Sequence, residues 1–116
     1  MSDSGGINQQ IGDLVFAVET DGATPPVILS GIGVNQQTAT PAGVVRNGKG
    51  DYTVNFPLNA CDPTSRAHAL ASRVVGQIVS LNPAIATDTS QGVLVTDAAA
   101  AAIDGGFSLS AVRTKD

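Results

Sequence analysis

The sequence predicts an all-β domain, an antiparallel β-sandwich of about seven or eight short strands. Three observations carry that expectation. Along residues 51–56, Tyr52, Val54 and Phe56 alternate with Asp51, Thr53 and Asn55, the period-2 pattern of a strand with one buried and one wet face. Turn chemistry built from Gly, Pro, Asn and Asp recurs at intervals of roughly 8–14 residues. The longest run of good helix formers, Asp97 with the alanines that follow it, is too short for a free helix.

The clearest unit is a hairpin over residues 42–56, AGVVRNGKGDYTVNF. Its turn lies in Asn47-Gly48-Lys49-Gly50, residues that accept positive φ. The register stays open. A two- or four-residue loop places Val45 on the face of Tyr52 and Val54, and a three-residue loop places Val44 there.

Residues 1–10, MSDSGGINQQ, are polar and form an expected arm, held by a neighbouring subunit or lying on its own domain; one β-sandwich domain is expected over residues 11–116. Residues 11–20 read as a first strand, apolar on both parities, and Asp21-Gly22 as a turn. Pro25-Pro26 lets a second strand begin, over residues 27–34, with Gly31 and Gly33 marking a bulge or a close backbone approach. After the hairpin, Pro57 and Pro63 turn a corner, and Asp62 or Thr64 is expected to cap a helical turn through residues 65–70. Residues 73–81 are a further strand with a bulge at Gly76, ended by Asn82-Pro83. Residues 84–89 are a short extended piece, 90–92 a turn and 93–96 a strand. A short turn follows over 97–102, and Asp104-Gly105-Gly106 introduces the last strand, 107–112.

With 116 residues the chain is one domain. Hydrophobic residues are 42% but aromatics only 3%, so the core is expected to be mainly Val, Ile, Leu and Ala, and thin enough that a partner subunit would help to bury it. The net charge of −4, without any Lys/Arg cluster, argues against nucleic acid. No run approaches the roughly 18 apolar residues of a membrane span, and the first residues lack a secretion signal, so synthesis in a cytoplasm is expected. The single cysteine, Cys61, forms no intrachain disulfide.

Residues with chemical potential are few. Cys61 and His68 lie seven positions apart, but a nucleophile needs an orienting group and an oxyanion site that no local motif supplies, and two ligands fall short of a zinc site. Three copies of His68 on a trimer axis are the remaining route to a metal or anion. The carboxylates Asp13, Glu19, Asp21, Asp51, Asp62, Asp88, Asp97 and Asp104 stand mostly beside turns, where Asp bonds its own backbone. A glycosidase pair would have to face across about 5–10 Å. Gly31 and Gly33 resemble a piece of a phosphate loop, but no helix and no Lys-Ser/Thr pair follows. No enzyme, cofactor or metal is expected. Phe16, Tyr52, Phe56 and Phe107 all occupy positions expected to be buried, which weighs against a lectin-type aromatic platform.

The hairpin Val44-Val45-Arg46-Asn47-Gly48-Lys49-Gly50-Asp51-Tyr52-Thr53-Val54-Asn55-Phe56 resembles the V-x-R-x-G-x-G-x-Y-x-V-x-F hairpin of small β-sandwich modules in bacteriophage virion proteins: capsid decoration, head-fibre and tail-fibre domains. The ending Asp104-Gly105-Gly106-Phe107-Ser108-Leu109-Ser110-Ala111-Val112 resembles their final strand. The resemblance implies a jelly-roll-like homotrimer related to C1q and tumour-necrosis-factor folds, attached in the virion to a major capsid or other virion protein. With no fibrous stalk before the module, a capsid decoration or head-appendage role is favoured over a fibre tip, with residues 1–10 as tether. The trimer contacts are expected on the apolar strands 14–18 and 74–79. The alternative is a fibre module that binds a receptor or host surface glycan through loop residues such as Asn35 to Thr38.

Overall fold

The computed structural model describes residues 13–57 and 61–114; the arm expected over residues 1–10 lies outside them. The described chain is an antiparallel β-sandwich, as the sequence predicts. Its strands are β1 (Leu14–Thr20), β2 (Ile28–Ile32), β3 (Val44–Gly48), β4 (Asp51–Asn55), β5 (Arg66–Ser72), β6 (Gln77–Thr87), β7 (Ser90–Asp97) and β8 (Phe107–Arg113). One sheet has the order β2-β1-β8-β5 and the other β3-β4-β7-β6, every pair antiparallel. Consecutive pairs β1–β2, β3–β4 and β6–β7 are neighbours within one sheet, whereas a jelly roll sends most consecutive strands to opposite sheets.

The hairpin register combines two devices. Lys49-Gly50 forms the turn between Gly48 and Asp51, and an irregularity between Arg46 and Gly48 shifts the parity, so Val44 pairs with Val54 and is buried. The extra residue, Asn47, is held by its side chain on Thr53 at 2.7 Å. A loop length alone therefore did not determine which valine faces in; the bulge did.

Three expectations are corrected. The helical turn is a single 3-10 turn at Pro63–Ser65, with Asp62 accepting from the Thr64 amide, and residues 66–72 are strand β5, not helix. Pairing with β8 supplies the backbone partners, and Arg66, His68, Leu70 and Ser72 alternate inward against Ala67, Ala69 and Ala71. Residues 73–76 form the turn between β5 and β6, so Val74 and Val75 are not in a strand and Gly76 is not a bulge within one. Finally, β6 runs through Asn82-Pro83 to Thr87 as one strand, and β7 begins at Ser90 where a turn was expected. Being an edge strand, β6 tolerates a proline without an N–H, and the register irregularity between Asn82 and Ala86 accommodates it.

Between the sheets, Phe16, Val18, Val44, Tyr52, Val54 and Phe56 pack on Val93, Val95, Phe107, Leu109 and Ala111. All four aromatics lie in this core: Phe16 stacks on Phe56 with centroids 4.5 Å apart, and Tyr52 meets Phe107 edge-on at 5.4 Å. Among the described residues no isoleucine is fully buried; Ile28 and Ile103 pack at the margin and Ile32 and Ile78 are exposed. The aromatic pairs, few as they are, fill the space that the small valine and alanine side chains leave. Phe16→Ala is expected to lower the unfolding free energy in urea by about 3–5 kcal/mol, whereas Gln36→Ala, on an exposed loop, stays within about 0.5 kcal/mol. Equal losses would contradict this placement of the core.

Candidate functional site

Polar side chains gather at two places, at opposite ends of the sandwich by register: one beside the Phe107–Ser72 pair, the other beside the Arg66–Arg113 pair. At the first, the β3–β4 hairpin, the β1–β2 loop and the segment before β8 converge on Asp104. Arg46 Nε donates to both carboxylate oxygens at 3.0 and 3.1 Å, and its Nη2 lies 3.0 Å from Oδ2. The Gly50 amide donates at 2.9 Å. The Tyr52 hydroxyl donates to the Gly22 carbonyl at 2.6 Å, accepts from the Gly105 amide, and stands 3.3 Å from Asp104 Oδ1. Arg46 and the Gly50 amide hold the Asp104 carboxyl down to about 2, and Asp104 in turn raises Arg46. Burial raises the Tyr52 phenol, so at neutral pH a carboxylate and a neutral phenol share this knot.

Glycine is required at two points of it. Gly22, at φ +64°, has no room for a Cβ, which would meet the Gly105 carbonyl, and Gly50, at φ +69°, lies against the Val95 and Ile103 backbone. The stretches R-N-G-K-G-D-Y and D-G-G-F thus meet in space, and their Arg46, Gly50, Tyr52, Asp104 and Gly105 form the knot.

At the other end, Arg66 is buried on the inner parity of β5. Its Nη1 donates to the carbonyls of Cys61 and Thr87 at 2.7 and 2.6 Å, and Nη2 to the Ser90 carbonyl and Gln91 Oε1 at 3.1 and 3.2 Å. Nε donates to His68 Nε2 at 3.1 Å. All five guanidinium N–H groups are therefore spent, and the plane lies 5.0 Å above the Phe56 ring. Burial lowers the Arg66 pKa, but a guanidinium stays charged in this range. His68 is also pushed down, first by burial and then by the Arg66 charge.

Cys61 and His68 therefore do come to one centre, but on two sides of Arg66. The Cys61 thiol donates to the Ser65 carbonyl at 3.3 Å, and His68 Nε2 is occupied by Arg66, so neither activates the other. His68 is half-buried on the inward parity of β5. Among the described residues no group of three or more His, Cys, Asp or Glu side chains is placed to hold a metal ion.

Several carboxylates serve turns, as their positions imply. Asp21 accepts from the Val27 and Ala23 amides, which lower its pKa, and Asp97 accepts from those of Ala99 and Ala101. Glu19 pairs with Arg73 at 2.9 Å. The loop proposed for glycan contact is partly committed inside. Asn35 bonds the Pro41 carbonyl, and the Gln37 side chain pairs with both N–H and C=O of Val44, covering the edge of β3 as a neighbouring strand would. Every aromatic of the chain is buried, leaving none for a sugar platform.

Sequence reading singled out Cys61 and His68 and missed Arg66, Gln37 and the Arg46–Tyr52–Asp104 group. A signal for Arg66 was present: it shares strand parity with Leu70 in R-A-H-A-L-A-S, which marks an arginine pointing inward. The exposed surface includes large apolar side chains: Leu14, Val27, Leu29 and Ile32, and Val74, Val75, Ile78 and Leu81. Compared with family models, curated proteins and solved structures, the chain matches none.

The folded His68 pKa lies below the 6.5 of the free side chain. The unfolded chain then takes up the proton first, so this contribution to stability is complete above pH 6.5 and is lost as pH falls towards the folded value. His68→Asn is expected to flatten the fall in unfolding free energy between about pH 7 and pH 5. An unchanged slope would mean that His68 titrates alike in both states.

Proposed function

We propose that the chain is a bacteriophage virion structural protein, a capsid decoration or head-appendage module that works as a homotrimer by burying surface rather than by chemistry. The observation that carries this reading is the division of side chains: Arg46, Tyr52, Asp104, Arg66, Cys61 and His68 bond one another or the backbone, while large apolar residues face outward. Such an arrangement suits a module that contributes stability and contact area to an assembly. The virion assignment itself rests on the hairpin and final-strand resemblance, of whose residues Arg46, Gly50, Tyr52, Asp104 and Gly105 meet in the knot. A small rigid sandwich with its ends closed by arginines is a sound material for a particle surface.

Of the two strands expected at the trimer contacts, residues 14–18 contribute Leu14 to the exposed surface while Phe16 and Val18 belong to the core. From residues 74–79 the exposed members are Val74, Val75 and Ile78, presented by a turn and the start of β6. Light scattering on the purified chain is expected to give a mass of about three chains, as for a closed cyclic assembly. A mass of one chain that persists at high concentration would contradict the reading.

A further inference from the structure

Asn47 is the only asparagine of the chain that is followed by glycine, and it stands at the bulge that decides the hairpin register. Asparagine is a thermolabile side chain, and a following glycine has no side chain to keep its backbone nitrogen from closing on the amide carbon. The surroundings leave room for that closure. Asn47 is exposed, and a Cβ built on Gly48 would meet nothing within 4 Å. Asn55, on the paired strand, is buried and is followed by the bulky Phe56.

Two aspartates are also followed by glycine, Asp21 and Asp104, and they close the same ring only when protonated. The fold restrains both. The Gly22 amide donates to Thr20 Oγ1 and the Gly105 amide to the Tyr52 hydroxyl, each at 3.3 Å, while amide and guanidinium donors keep the two carboxyls ionised. At Asn47 the restraint acts on the side chain itself. Its Nδ2 donates to Thr53 Oγ1 at 2.7 Å and to Asp51 Oδ1 at 3.3 Å, and ring closure swings the side chain onto the backbone at the cost of these bonds.

We infer that Asn47 is a self-modification site, which deamidates in the folded protein at a rate governed by its bond to Thr53. The Gly48 nitrogen bonds to the Asn47 side-chain carbonyl carbon, the bond from that carbon to Nδ2 breaks, and Nδ2 leaves as ammonia with the Gly48 amide proton. Water then opens the cyclic imide. Breaking the imide bond at the side-chain carbonyl gives aspartate, and breaking it at the backbone carbonyl gives isoaspartate. Water is the only co-reactant.

Either product changes the hairpin. A carboxylate replaces an N–H donor beside Asp51, turning an attraction into like-charge repulsion, and isoaspartate adds a methylene to the main chain at the bulge. The bulge sets Val44 inward, and Arg46 and Gly50 on the same hairpin hold Asp104. Deamidation thus loosens the end of the sandwich that Asp104 closes.

The test incubates the full chain in mildly alkaline buffer, folded and in urea, and follows Asn47 by peptide mass spectrometry, with isoaspartate read from its fragment ions. Thr53→Val and Gly48→Ala are run beside wild type after circular dichroism confirms their folding; Thr53→Ala replaces a Thr53→Val that fails that check. Folded wild type is expected to lose the Asn47 amide more slowly than the unfolded chain. Thr53→Val is expected to lose it about fivefold faster than wild type, the factor carried by one hydrogen bond of about 1 kcal/mol. Gly48→Ala is expected to keep the amide and its thermal midpoint, while the wild-type midpoint falls as conversion proceeds. An intact Asn47 in folded wild type, after the unfolded chain has converted, overturns the site. A Thr53→Val rate equal to that of wild type overturns the control by Thr53, and a midpoint unmoved by conversion overturns the loosening.

Discussion

One carboxylate sets the alignment of the two sheets. Asp104 stands in the loop between β7 and β8, and the groups it gathers come from both layers: Arg46 and Tyr52 from one sheet, and Thr24 from the β1–β2 loop of the other. The Tyr52 hydroxyl extends the reach to Gly22 in the β1–β2 loop. Removing the carboxylate would leave a half-buried guanidinium and a backbone amide without their acceptor, a cost that neutral replacements do not restore. The Tyr52–Phe107 contact lies directly beneath, so the polar knot and the aromatic core reinforce one another. At the far end the same task falls to Arg66, which uses carbonyl oxygens instead of a carboxylate and rests on Phe56. A sandwich with a core of mostly small side chains is thus closed at both ends by an arginine.

This arrangement shows how the residues that look most reactive in the sequence are engaged. Cys61 and His68 are the only residues of their kinds, and both are drawn into the environment of Arg66. Proximity here is a consequence of packing. A nucleophile would need the thiol and imidazole to face each other with an open volume beside them, and the guanidinium occupies that position. Outside, large apolar groups such as Ile32 and Val75 are exposed.

The alternation of Tyr52, Val54 and Phe56 was legible because one face is buried and the other wet, and the sandwich class followed from that and from the turn spacing. Less legible were places where tertiary pairing overrode local chemistry. Pro83 reads as a strand terminator, but an edge strand needs no N–H there and β6 continues. Ala-rich R-A-H-A-L-A-S reads as a helical turn until β8 provides a partner for every second residue. The bulge at Asn47, which decides between Val44 and Val45, depends on a side-chain bond to Thr53 that no spacing rule reveals. The knot was half legible: its glycines and its Tyr and Asp stood out as motifs, but their meeting across 52 positions required the fold.

The bonds of Arg46, Gly50 and Tyr52 to Asp104 can be read directly from the carboxyl titration of that residue by carbon-13 NMR. The expected midpoint is about 2, well below the ordinary 3.8, because Arg46 and the Gly50 amide favour the ionised form. Stability contributed by this group is then fully present above pH 3.8 and is lost as pH falls through that midpoint. A midpoint at the ordinary value would mean that the knot does not hold in solution, and the alignment of the two sheets would need another cause.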